Sequence, residues 1–323
     1  MNSKKKVLFV APKFYNYHTQ IIEALELQGY EVTFYPEMEH TLLYRVSNKL
    51  SKKIESYLTQ KYIDSILQQT VQNEFDVFFV IRGGYFSPEW LEKLHLKLPL
   101  AKFIMYQWDS VRQNNYLPLV KYFDRVQTFD MVDAKEHSLE YLPLFYTKHY
   151  KNIQYEKKDT KYDLVFFGAY HSDRLEIIQY IDKLFKENGL HFKYHLFITK
   201  LALFRLLITR AISVRDLHYF KTYSVSMDEI IETYKESSAV LDVELAIQNG
   251  LTIRTMETLG ANLKLLTTNG HIKEEPFYDS NVVMHIDRKD IAIDLDFFTN
   301  GQNDEDRVKE FYIESWLKNI LSN

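Results

Sequence analysis

Short runs of β-branched and aromatic residues alternate along almost the whole chain with longer segments whose apolar positions recur at helical spacing. That order predicts parallel sheets assembled from strand–helix–strand units. In the first half, strands are expected at 7–11, 31–35, 76–81, 102–106 and 125–129. The alternation stops after Leu142-Pro143-Leu144, where residues 147–161 are polar and charged and read as a linker. A second series follows, with strands expected at 163–168, 191–198, 239–242, 263–267 and 282–285 and a helix over 173–187. The pattern therefore implies an α/β chain of two Rossmann-like halves, 1–145 and 162–303, joined by 146–161. The segment 304–321 places Val308, Phe311, Tyr312, Ser315, Trp316 and Ile320 on one side, so a closing helix over 304–323 must dock on something.

One stretch, 249–268, combines these signals with chemistry. It reads as a glycine-hinged loop at Asn249 and Gly250, a helix over 253–259 carrying Arg254 and Glu257, a break at Gly260 and a buried strand. On that helix Ile253, Met256, Glu257 and Gly260 share a face. A carboxylate thus interrupts an apolar stripe. Because an unpaired buried carboxylate is costly, Glu257 lies at the stripe's edge, pairs with Arg254, or meets a ligand hydroxyl.

Composition narrows the class. The 323 residues exceed what one core usually organises, and 46% hydrophobic with 26% charged residues fits a soluble globular protein. A net charge of −4 gives no global attraction to nucleic acid. There is no cysteine, which excludes disulfides, thiolate zinc sites and cysteine nucleophiles and fits a reducing compartment. The apolar run behind the basic start is too short for a signal peptide, and no stretch reads as a transmembrane helix. The 24 tyrosines and 22 phenylalanines suit thick cores and sugar-stacking surfaces alike.

Ligands of open α/β sheets bind beyond the carboxyl ends of the strands, so the residues there carry the candidate chemistry. After the third strand come Arg82, Gly83, Gly84 and Tyr85, where bare backbone allows close approach to a ligand or simply makes a turn. After the fourth come Trp108 and Asp109, the latter a general base for an acceptor hydroxyl or a cap of the next helix. After the first strand of the second half comes Gly168, followed by His171 and Arg174. That loop opens a helix and is either an anion site or a tight turn capped by Ser172 or Asp173. No G-x-G-x-x-G, P-loop or G-x-S-x-G motif occurs, and His191 and His195 alternate with apolar residues as on a strand, so no metal is expected. Basic residues recur at 200, 205, 210, 215 and 221 among bulky apolar ones. That segment reads as a core helix with a solvated basic edge or as a contact with an anionic membrane surface. Residues 45–61, with Lys49, Lys52 and Lys53, form a second basic stretch.

Several motifs together resemble a known family: 163–168 with Arg174, 237–242, 250–260 with 265–269, and the Trp316 helix. The chain resembles the GT-B glycosyltransferases of the group 1 superfamily, in particular the CgeB-like and lipopolysaccharide or capsular polysaccharide biosynthesis branch. The resemblance spans most of 160–320 and is weaker in the first half. It implies two Rossmann-like domains facing across a cleft, with the last helix crossing back onto the first. It also implies a bacterial cytoplasmic enzyme, at the inner face of the membrane in one version, that moves a sugar from a nucleotide-sugar donor onto a glycan or lipid-linked acceptor without a metal or cofactor. By the same resemblance Glu257 holds the donor ribose, Gly168, His171, Arg174, Asn249, Gly250 and Arg254 lie on the donor side, and Arg82, Gly83, Gly84 and Trp108 lie on the acceptor side with Asp109 as base. Many relatives carry two glutamates seven residues apart; here the first position is Asn249, so retaining chemistry is not carried over. A non-catalytic sugar-nucleotide-binding scaffold and a sugar-nucleotide epimerase are the competing expectations.

Overall fold

The structure is a computed structural model that describes residues 4–38, 52–153, 158–171, 173–298 and 307–322. The chain divides into two compact units, Met1–Pro143 with Ile313–Asn323, and Leu144–Tyr312.

The first unit is built on a six-stranded sheet whose order is β2-β1-β3-β4-β5-β6. Its strands are β1 (Lys6–Ala11), β2 (Glu31–Pro36), β3 (Val77–Ile81), β4 (Lys102–Gln107), β5 (Arg125–Thr128) and β6 (Glu140–Tyr141), and every pairing is parallel. A parallel sheet is covered on both faces, so its central strands are apolar throughout rather than alternating. All five residues of β3 are buried, as are Val7 to Ala11 of β1. Helices Tyr17–Leu27, Lys52–Gln69, Pro88–Lys97 and Met131–His137 alternate with these strands.

The second unit contains β7 (Tyr162–Ala169), β8 (Phe192–Phe197), β9 (Phe220–Lys221), β10 (Ser237–Asp242), β11 (Lys264–Thr267) and β12 (Val283–His285). Their order, β12-β11-β10-β7-β8-β9, is that of a doubly wound dinucleotide-type fold read from its far edge. Both units are therefore Rossmann-like α/β sheets. The ten strands expected from the pattern all form. The two that the pattern missed, β6 and β9, are edge strands of two residues each, too short to carry a period.

Two expectations are corrected. The segment expected as a linker holds a helix, Lys148–Ile153, with Tyr150 and Ile153 buried at i and i+3; residues 154–157 lie outside the described residues. The closing segment is not one helix over 304–321. A 3-10 turn, Lys309–Phe311, is followed by extended backbone at Tyr312 and then by the helix Ile313–Leu321, while 304–306 lie outside the described residues. Tyr312 forms a parallel bridge with Tyr146, and that break rephases the helix. Its buried face becomes Ile313, Trp316, Leu317 and Ile320, and Ser315 is exposed. Trp316 is fully buried in the first unit, where its Nε1–H donates to the Pro143 carbonyl at 3.1 Å and its ring lies 4.7 Å from Tyr106.

Candidate functional site

In the second unit the strand order reverses between β7 and β10, and the crevice beyond their carboxyl ends is where such a sheet takes a ligand. The loop after β7 leads into the helix Arg174–Glu187, and the loop after β10 leads into the helix Ile253–Gly260. Both loops deliver charge to this place.

Arg174 is buried and ties the two loops together. Its Nε and Nη2 donate to the carbonyl of Val243, and its Nη1 donates to Ala169 O at 2.7 Å. Burial, then the positive charge of Arg254, lowers its pKa to about 9. Gly168 lets this happen: a Cβ there would stand 2.7 Å from Phe166 Cζ and 2.9 Å from Arg174 Nη1. The same Phe166 ring lies 5.5 Å from the Arg174 guanidinium carbon and 6.0 Å from that of Arg254. Arg174 is thus first a strut between the loops. Asp173 does not cap its helix; its carboxylate accepts from Arg288 Nη1 at 2.6 Å, and Ser172 lies outside the described residues.

Asp242, at the end of β10, has no solvent exposure. It accepts from Thr252 Oγ1 at 2.5 Å, Thr255 Oγ1 at 3.1 Å and Arg254 Nη1 at 3.3 Å. Thr252 is the N-cap of the helix Ile253–Gly260, yet its hydroxyl makes no capping bond and instead donates to Asp242. The first-turn N–H groups of that helix are left without a side-chain cap, with Arg254 beside them. Burial works against the Arg254 charge, but Asp242, Tyr234 and Glu257 outweigh it and hold its pKa above the ordinary arginine value.

Glu257 is 5% exposed, so of its three expected placements the stripe edge is excluded. The expected apolar stripe is itself too narrow: all six residues from Thr255 to Gly260 are buried. Strands β10 and β11 cover one side, and the helix Lys148–Ile153, in the segment read as a linker, packs on it as well. Gly260 makes room for the Tyr146 ring, where a Cβ would come within 2.3 Å. The loop after β10 is held through Asn269, whose Nδ2 donates to the carbonyls of Asn249 at 3.0 Å and Gly250 at 3.2 Å.

The pattern missed Glu244 and Arg288. Arg288 Nη2 meets Glu244 Oε1 at 2.7 Å, and Thr268 donates to the other oxygen at 2.6 Å. Burial raises the pKa of Glu244 despite these bonds. His171 reports the sum of the local charges: burial, then Arg174 and Arg288, push its pKa down to about 4, and Arg254 adds to this while Asp173 opposes it. At neutral pH it is an uncharged imidazole beside three arginines.

In the first unit the order reverses between β1 and β3. Arg82, just past β3, has φ +76, a left-handed backbone unusual for a side chain with a Cβ, and Gly83 follows at φ +67. This turn directs the Arg82 carbonyl to Gln107 Nε2 at 2.7 Å while its side chain spans two carboxylates. Nη1 meets Glu37 Oε2 at 2.7 Å, and Nε meets Asp109 Oδ2 at 2.8 Å. The Gly84 N–H donates to the other Glu37 oxygen. Glu37 is 1% exposed, and burial raises its pKa against the pull of Arg82. Asp109 is therefore an ion-paired strand-end carboxylate rather than a helix cap. Glu37 went unread, although it directly follows β2 and the strand-end rule reaches it. Trp108 is partly exposed and stands 6.3 Å from the ring of Phe14, which is exposed in the loop after β1.

Among the described residues, no group of three or more His, Asp or Glu side chains is gathered so as to hold a metal ion, and no helix is long and apolar enough to cross a membrane. His195 lies on β8 as the alternation predicts, its Nε2 2.8 Å from Tyr223 O.

Two parallel sheets with strand-end loops of this kind define the GT-B fold. No protein-family model and no curated protein matches the sequence. Among solved structures, the chain is similar to an alpha-glucosyltransferase in complex with UDP and a 13-mer DNA containing a central A:G mismatch, at 14% identity over 95% of this chain and 90% of that one, with TM-score 0.58. It is also similar to the apo form of the lipopolysaccharide outer core galactosyltransferase WaaB, at 11% identity over 97% of each chain, with TM-score 0.52. UDP-N-acetylglucosamine 2-epimerase from Rickettsia bellii matches at 10% identity over 97% of this chain and 94% of that one, with TM-score 0.55. At these identities the likeness is one of fold.

Proposed function

We propose that the protein is a glycosyltransferase that binds a nucleotide-sugar donor on its second unit and transfers the sugar to a glycan or lipid-linked acceptor of the bacterial cell surface. The observation that carries this reading is the uncapped amino terminus of the helix Ile253–Gly260 with Arg254 at its first turn. The N–H groups of Ile253 and Arg254, which no side chain caps, and the neighbouring guanidinium suit a diphosphate, and they stabilise the charge that develops on it as the glycosidic bond breaks. In this reading no metal is needed. Glu257 accepts from the ribose hydroxyls, the Gly168 and His171 loop lies along the diphosphate, and Asn249 and Gly250 line the donor side. The likeness in fold to the two transferases above supports the reaction class.

On the first unit Asp109 takes the proton of the acceptor hydroxyl, with Arg82, Gly83, Gly84 and Trp108 on the acceptor side. The transfer is then an inversion in which the acceptor oxygen displaces the nucleoside diphosphate in one step. The Arg82 ion pair orients Asp109, and displacement of Arg82 by the acceptor hydroxyl would open the carboxylate for proton transfer.

Epimerisation of the nucleotide sugar is the second reading. Glu244, with its raised pKa, and the uncharged His171 put proton-transfer groups on the donor side, and an epimerase shares the fold. Incubation with UDP-, GDP-, dTDP- and CMP-sugars separates the readings. Slow donor hydrolysis is the expected result for a transferase, an isomerised donor would replace it with the epimerase, and binding without turnover would leave a scaffold. Glu257→Ala is expected to abolish donor binding; unchanged affinity would remove its ribose role.

A further inference from the structure

The helix Lys200–Ile208 has no fully buried residue, although seven of its nine residues are apolar. Two opposite faces share them. Ala202, Leu203, Leu206 and Leu207 are partly buried against the core of the second unit. Leu201, Phe204 and Ile208, at i, i+3 and i+7, point the other way and are 70%, 61% and 65% exposed. Packing explains the first face and leaves the second without a function in the fold, because three large apolar side chains held in water on one face are costly.

The charges around that face say what covers it. On the helical wheel Lys200 flanks it on one side and Arg205 on the other, and the exposed Arg210 follows in the turn and the exposed Arg215 in the 3-10 helix Val214–Tyr219. None of these four cations forms an ion pair with an acid among the described residues. The nearest acid in sequence, Asp216, is turned away to the Ser213 N–H at 2.7 Å and Gln179 Nε2 at 2.8 Å. Arg210 stands in the left-handed position at φ +55 where the helix ends, and the Ala211 N–H closes the turn on Leu206 O at 2.9 Å. The segment is therefore a locally cationic ledge on a chain whose net charge is −4.

We infer that this ledge is a membrane-docking face that seats Leu201, Phe204 and Ile208 among the acyl chains of an anionic phospholipid surface, with Lys200, Arg205, Arg210 and Arg215 at the headgroups. A protein partner with an acidic groove would also use the charges, but Lys200 and Arg205 flank the apolar residues on the helical wheel rather than alternating with them. That arrangement fits side chains whose stems lie along the hydrocarbon boundary and whose charges reach the phosphates. The inference is independent of the donor-site reading, since none of these residues belongs to that site.

Sedimentation of the full chain with vesicles tests it. Vesicles of phosphatidylcholine with about one-third phosphatidylglycerol are expected to take up the protein, phosphatidylcholine alone to take up far less, and about 1 M salt to release it. Leu201→Ser with Phe204→Ser changes only exposed positions and is expected to weaken uptake about tenfold or more with an unaltered circular dichroism spectrum. In Phe204→Trp, the emission that the added indole contributes is expected to shift to the blue on vesicle addition. Absence of uptake, or uptake indifferent to the paired substitution, would overturn the inference. So would a discrete oligomer in sedimentation equilibrium that the same substitutions dissolve, because the face would then be a contact between copies.

Discussion

The hydroxyl of Thr252 donates to the carboxylate of Asp242 at 2.5 Å, and the helix that Thr252 begins is left without a side-chain cap. A threonine at an N-cap normally bonds a first-turn N–H and stabilises its helix by about 1 kcal/mol. Here that stabilisation is exchanged for orientation of a fully buried carboxylate. Asp242 in turn fixes Arg254, so one strand end sets both the bare helix terminus and the cation beside it.

Asp242→Ala should therefore be costly. It leaves Arg254 facing Glu257 and Tyr234 without its main counter-charge, and loss of one partner from a buried pair of this kind costs about 3–5 kcal/mol. Urea denaturation checks the value. Thr252→Val, which removes only one bond to a charged acceptor, is expected to cost about 1.5–3 kcal/mol.

Gly260→Ala should destabilise the second unit, since the new methyl would meet the Tyr146 ring at 2.3 Å. Overpacking of this kind costs about 1–3 kcal/mol. In a Tyr146→Leu background the same substitution should cost less, and thermal melts of the four proteins measure the coupling. Equal cost in both backgrounds would show that the ring is not the obstacle.

Stability should fall as pH is lowered from about 6.5 to about 4, the window between the ordinary and the folded-state pKa of His171. In that range the unfolded chain binds a proton that the folded chain, with burial and three arginines against it, does not. His171→Gln should flatten the pH dependence of the denaturation midpoint within this window. An unchanged slope would assign the effect to other groups.

Arg82→Ala should strand Glu37, which is 1% exposed, with the Gly84 N–H as the one remaining donor to its side chain among the described residues. A loss of about 3–5 kcal/mol is expected, reduced by relief of the left-handed backbone strain only if glycine is used instead. Glu37→Gln in the same chain should recover part of the loss, because the stranded charge is gone. Calorimetric melts of the single and double variants provide the test.

Asp109→Asn is expected to lower turnover at least about a hundredfold once donor and acceptor are identified, with donor affinity unchanged. Near-normal turnover would remove Asp109 from the reaction.

The strands of both sheets were legible from the sequence because each depends on a local run: Val77 to Ile81 is apolar throughout, as a strand covered on both faces must be. The strand-end rule then reached Arg82, Asp109, Gly168 and Arg174 without knowledge of any contact. Which partner each of these groups takes was decided only by the tertiary structure, because the partners lie far apart in sequence. Arg82 is 45 residues from Glu37, Arg174 is 69 from Val243, and Arg288 is 115 from Asp173. No local period announces such pairs; parallel strand register brings them together. The same holds for the closing helix, whose apolar residues were visible but whose face depended on the break at Tyr312 made by a bridge to Tyr146. Local pattern determined where the backbone is extended or helical, and long-range pairing determined which charges are neutralised and which helix end stays bare.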